Sequence, residues 1–120
     1  MKVLLADDDR DQLTLRSMLL VERGFETVEA ADCASAISVA TVERPQCAVV
    51  DLRFPTEELG LRTVRELKML DPGMHVLLLT GDRSETLARM PEAALVDQIL
   101  VKGNCWGELL QRLQTIRDVV

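Results

Sequence analysis

Acidic and basic side chains stand where short apolar runs of this sequence end. Asp7, Asp8 and Asp9 follow Val3 to Ala6, Asp51 follows Cys47 to Val50, and Lys102 follows Ile99 to Val101. Two carboxylates about 4 Å apart repel by roughly 4 kcal/mol at the effective dielectric of a protein surface, so a cluster of them needs protons or a cation. Asp7, Asp8 and Asp51 bring three negative charges and Lys102 one positive, leaving two to neutralise. A divalent ion fits that count. All-oxygen ligation with room for water favours Mg²⁺, or Mn²⁺, over zinc.

The elements that position these residues are legible from periodicity. Apolar runs alternate with segments of helical spacing: Val3 to Ala6 then Leu13 to Val21, Thr27 to Ala30 then Ala34 to Val42, Cys47 to Val50 then Leu61 to Leu70. Val76 to Leu79 precedes a short helix around Ser84 to Met90, and Ile99 to Val101 precedes a helix from about Trp106 to the end. This (βα)5 pattern predicts right-handed crossovers and a mostly parallel sheet with helices on both faces. Gly24, Pro45 and Asp71-Pro72-Gly73 punctuate the first three helices, each ending in residue types that do not continue a helix. The aspartates then lie at the carboxyl ends of the first and third strands, where open α/β sheets bind ligands.

A length of 120 residues suits one domain spanning residues 1–120, and 48% hydrophobic with 28% charged residues is ordinary for a soluble fold. The net charge of −6 argues against a nucleic-acid surface. No apolar run approaches a membrane span, and the early aspartates interrupt any signal-peptide pattern, so a cytoplasmic location is expected. Cys33, Cys47 and Cys105 lack the paired spacing of zinc or redox motifs and read as reduced thiols, Cys47 as a small buried hydrophobe. Neither a glycine-rich phosphate loop nor a G-x-S-x-G elbow is present. His75, the sole histidine, reads as a solvated turn residue, and Trp106 as core or helix-start packing.

Over essentially its whole length the sequence resembles the response-regulator receiver family. Val3-Leu4-Leu5-Ala6-Asp7-Asp8-Asp9 resembles the family's first strand with its acidic pair, and Asp51-Leu52-Arg53-Phe54-Pro55 the phosphoacceptor strand end. Leu79-Thr80-Gly81 resembles the switch-hydroxyl segment, and Leu100-Val101-Lys102 carries the family lysine. The resemblance implies a flavodoxin-like receiver fold, a doubly wound five-stranded parallel α/β sheet of strand order 2-1-3-4-5. It implies that Asp51 takes a phosphoryl group from a histidine kinase or phosphotransfer protein of a two-component phosphorelay and signals to a downstream protein target. Asp8 and Asp51 would ligate Mg²⁺ directly, Asp7 mainly through water, and Arg53 through its backbone carbonyl. Lys102 would neutralise phosphoryl charge, Thr80 would bond the bound group, and water attack would reset the switch, with no activity beyond this self-catalysed transfer and autodephosphorylation.

Each residue also has a plainer use. Asp8 or Asp9 suits a helix cap, and Asp9 is assigned that role; Asp51 suits a turn, Lys102 an exposed stem, and Thr80 a strand by propensity alone. The chain departs from the family at Ile99, where an aromatic is usual, and at Gly103, where a proline with a cis bond is common. The Pro55 to Gly60 loop is longer by one residue and carries Glu57 and Glu58. Arg53 and Asp82, two residues beyond Asp51 and Thr80, are expected to face each other across the mouth of the site. A non-phosphorylated interaction module and an N-terminal piece of a larger regulator remain the alternatives to a stand-alone receiver.

Overall fold

Short β-branched and leucine-rich runs form the middle layer of the molecule. β1 (Lys2–Ala6), β2 (Glu26–Ala30), β3 (Cys47–Asp51), β4 (His75–Thr80) and β5 (Gln98–Val101) pair in parallel in the order β2-β1-β3-β4-β5. The computed structural model describes residues 1–81, 90–103 and 105–119. Four α-helices lie among the described residues: α1 (Arg10–Glu22), α2 (Cys33–Glu43), α3 (Glu57–Leu70) and α4 (Trp106–Val119), with a 3₁₀ turn at Pro91–Ala94. The helix expected around Ser84 to Met90 falls outside the described residues, except for Met90, which precedes that turn.

Alternation along the strands divides the core in two, because successive strand side chains point to opposite faces. Leu4, Ala6, Ala48, Val50, Val76 and Leu78 pack with Ala36 and Ala40 of α2 and Leu61, Val64 and Leu67 of α3. Val3, Leu5, Cys47, Val49, Leu77, Leu79 and Leu100 pack on the other face with Leu13 and Leu20 of α1 and Leu109, Leu113 and Ile116 of α4. Cys47 is the buried hydrophobe its position suggested, and Trp106 packs against the second cluster. Ile99 is half-buried against the first. No helix among the described residues is long and apolar enough to cross a membrane.

The helix ends follow local chemistry. Asp9 caps α1 by accepting from the amides of Asp11 and Gln12 at 3.0 and 3.3 Å, satisfying donors that have no partner in the helix. Gly24 (φ +88°) follows α1 in the left-handed region that glycine enters without penalty. Arg44 closes α2 with φ 48° ahead of Pro45.

Two details correct the sequence reading, and a third bears out its departure at Gly103. Glu57 and Glu58 are not loop residues: Thr56 caps α3 through the Leu59 amide (3.2 Å), so both carboxylates sit in the first turn, where the helix dipole favours them. His75 opens β4, with its Nδ1 3.3 Å from Asp97 Oδ1. The one cis peptide bond among the described residues is Phe54–Pro55, and Gly103 instead takes φ +103°.

Candidate functional site

The strand order reverses between β1 and β3, and the carboxyl ends of these two strands flank the resulting crevice. Parallel register sets Ala6 opposite Val50, and Asp51 opposite Leu79. Backbone bonds extend this alignment past the strand ends: Asp7 N donates to Ala30 O (3.1 Å), Leu52 N to Leu79 O (2.8 Å) and Lys102 N to Thr80 O (2.7 Å). The residues that carry charge therefore emerge from a hydrogen-bonded sheet edge.

Asp7, Asp8 and Asp51 each present a carboxylate oxygen such that all three lie within 4.8 Å of one another. Asp7 is 1% and Asp51 5% exposed, whereas Asp8 is open to solvent. One Asp51 oxygen is in close contact with Lys102 Nζ, and the other accepts the Arg53 amide at 3.1 Å. Burial raises the Asp51 carboxyl above its ordinary value; Lys102 opposes this, and the Asp7 charge reinforces it. Thr80 ends β4 nearby in register with Val101, and is itself buried.

The fit to a magnesium ion follows from the donor set. Three carboxylates converge with one exposed to water, a hard all-oxygen arrangement that leaves room for the waters Mg²⁺ retains. Burial raises the Asp51 carboxyl, with the Asp7 charge adding to it, so the ionised form gains from a further cation in the pocket. The structure thus gathers Asp7, Asp8, Asp51 and Lys102, with Thr80 at an adjacent strand end. Arg53 has an exposed side chain, and Asp82, its expected partner across the mouth, lies outside the described residues.

Sequence reasoning missed Arg16. Its Nη1 lies 2.6 Å from Asp7 Oδ2, with the guanidinium side chain only 14% exposed. Leu13 and Leu20 mark the inward face of α1, and position 16 falls on that same face at i+3 and i−4. That spacing was the available signal. A second omission is Gly60, whose α3 backbone comes so close to β3 that a β-carbon would overlap the carbonyl oxygen of Leu52.

Comparison with known proteins agrees with this geometry. The family described as the response regulator receiver domain matches residues 3–114. The transcriptional regulatory protein PrrA of Mycobacterium tuberculosis is 32% identical over 117 residues, covering 96% of this chain and 49% of PrrA. The chain thus spans about half the length of that curated relative. Among solved structures, the chemotaxis protein CheY4 of Vibrio cholerae aligns with a TM-score of 0.85 and 27% identity, covering 96% of this chain and 97% of that one. A response regulator protein from Burkholderia pseudomallei, with a phosphorylated aspartic acid, calcium ion and citrate, aligns at 0.84 and 27% identity, covering 98% and 69%.

Proposed function

Because this chain belongs to the response regulator receiver domain family, we propose that Asp51 is its phosphoacceptor, taking a phosphoryl group from a phosphohistidine on a partner histidine kinase or phosphotransfer protein. The observation that carries this reading is the convergence of Asp7, Asp8 and Asp51 within 4.8 Å, with Lys102 against Asp51. The phosphorylated aspartic acid of the Burkholderia response regulator supports the same chemistry in a related fold.

In the transfer, an Asp51 oxygen forms the new bond to phosphorus as the bond from phosphorus to the imidazole nitrogen breaks, and the imidazole leaves. Lys102 holds the Asp51 carboxylate in place and stays beside the developing charge on the phosphoryl oxygens, where fixed positive groups act most strongly. Mg²⁺, when bound, would supply the remaining charge neutralisation. Asp8 and Asp51 would hold it directly. Asp7 would act through water, in keeping with both of its oxygens being engaged by the Asp9 amide and Arg16. The Arg53 carbonyl would complete the protein's share. The Arg53 amide, bonded to the other Asp51 oxygen, fixes the carboxylate's orientation. The Thr80 hydroxyl bonds the phosphoryl group once transferred, drawing its loop inward and presenting a changed surface to a downstream protein. Water attack on the acyl phosphate then returns Asp51 to a carboxylate.

On this reading residues 1–120 form one receiver domain that works in the cytoplasm through protein partners, without contacting nucleic acid itself. Incubation with a small acyl-phosphate donor and Mg²⁺, followed by intact-mass spectrometry, tests it. One phosphoryl addition is expected, absent in Asp51→Asn and on chelation of Mg²⁺. Labelling that survives either change refutes the assignment.

A further inference from the structure

Asp7 is the least exposed of the three clustered carboxylates, and both of its oxygens are already used. Oδ1 accepts the Asp9 amide at 3.0 Å and Oδ2 the Arg16 guanidinium at 2.6 Å. A buried carboxylate is costly without a partner, and Arg16 meets that need at every accessible pH because a guanidinium stays charged. The surrounding face of α1 is apolar at Leu13 and Leu20, so packing alone does not call for a cation there.

Charge decides what Arg16 does beyond pairing. Without it, three carboxylates face Lys102 alone and the pocket carries two excess negative charges. With it, the excess falls to one. A divalent ion entering the pocket is therefore drawn less strongly and meets a cation of like sign already seated on one of its carboxylates. Arg16 also borders open space. It lines an open cleft of about 570 Å³ between α1 and α4, together with Lys102, Trp106, Gln12 and Leu109.

We propose that Arg16 is an internal counter-cation of the acidic pocket, which stays paired with Asp7 and by its charge lowers the Mg²⁺ affinity of the resting protein. It acts through Asp7 and touches no reacting atom in this structure, so it is a positioning residue. The inference rests on the reading of Asp7, Asp8 and Asp51 as the magnesium pocket. With the ion bound and a dianionic phosphoryl group on Asp51, the formal charges of the five side chains and the ion cancel only when Arg16 is counted. Arg16 thus opposes metal in the empty pocket while matching the charge of the phosphorylated one.

Magnesium titrations of wild type, Arg16→Gln and Arg16→Lys, followed by calorimetry and by the fluorescence of Trp106, test the proposal. Trp106 is the only tryptophan and shares the cleft with Arg16. Arg16→Gln is expected to bind Mg²⁺ roughly fivefold more tightly, since a unit charge near a divalent ion has been removed. Arg16→Lys restores the charge and should stay close to wild type. A purely structural ion pair predicts no tightening, so an Arg16→Gln affinity that is unchanged or weaker overturns the proposal. If Arg16→Gln does not fold, wild type still decides: the Arg16 Nε–H resonance must move along the same Mg²⁺ curve as Trp106, and an unmoved resonance overturns it. Asp8→Asn separates the two levels of argument. It should weaken Mg²⁺ in every background, and if it does not, the pocket itself is misassigned and the role of Arg16 falls with it.

Discussion

Gly60 of α3 lies against the carbonyl of Leu52, the residue that follows Asp51, with no space between them for a β-carbon. The overlapping atom belongs to backbone, so rotating a side chain cannot relieve it. Gly60→Ala must push α3 away from the strand end that carries Asp51. Overpacking of this kind costs about 1–3 kcal/mol, read as a lower midpoint in urea denaturation with little change in slope. An unchanged midpoint would show that α3 does not approach β3 this closely.

At the opposite end of the sheet, Asp97 ties together β4 and the approach to β5. Its Oδ2 accepts the Val76 amide at 2.7 Å and lies 3.8 Å from Lys68 Nζ, while its own amide donates to Val76 O at 2.8 Å. Asp97→Ala leaves the Val76 N–H without its acceptor, a loss of about 1–3 kcal/mol. Amide exchange should show reduced protection at Val76 first, with Asp51 phosphorylation retained. Equal loss of protection across the whole sheet would count against a local role.

Cys47 starts β3 fully buried, and burial pushes its thiol up to about 12. The thiolate is the reactive form, so alkylation of folded protein at mildly alkaline pH should spare Cys47 and be limited there by unfolding. Mass mapping after brief alkylation is expected to show modification at Cys105 or Cys33 before Cys47. Denaturant should abolish the difference, and rapid native labelling of Cys47 would contradict its placement.

The alternation of apolar runs and helical spacings made the sheet and its flanking helices legible, because period-2 and period-3.6 patterns reflect one-sided burial. Asp7 and Asp51 could be placed together since both close strands, and parallel pairing brings such ends to one edge. Strand order came from family resemblance and not from the pattern, as nothing in a run of valines states its neighbour. Arg16 and Gly60 were not recognised for a related reason. Their meaning lies in distances between elements, Arg16 to Asp7 across the β1–α1 turn and Gly60 to the backbone beyond β3. Glu57 and Glu58 read as loop because the apolar stripe of α3 starts only at Leu61, while its hydrogen-bonded first turn is capped by Thr56 and needs no apolar residue.

The raised carboxyl of Asp51 carries a consequence for stability with a definite sign. The folded protein holds the Asp51 proton to higher pH than the unfolded chain, whose carboxyl titrates near 3.8. This contribution is therefore fully present below the unfolded value and is lost as pH rises through the folded one. At neutral pH the ionised side chain sits buried beside Asp7 and costs stability, the reverse of an ordinary surface aspartate. Asp51→Asn removes that charge. It also ends the ion pair with Lys102, but the Lys102 side chain is 35% exposed and remains solvated, so little is lost from that side. Without metal at neutral pH, Asp51→Asn should melt a few degrees above wild type. The gap should close as pH falls toward the unfolded carboxyl range, where wild-type Asp51 is protonated in both states. Saturating Mg²⁺ should also narrow it, by neutralising wild type more than the variant. Paired thermal melts across this pH range, with Mg²⁺ and with chelator, measure all three effects, and a variant less stable than wild type in chelator at neutral pH would show that Lys102 outweighs burial at this carboxylate.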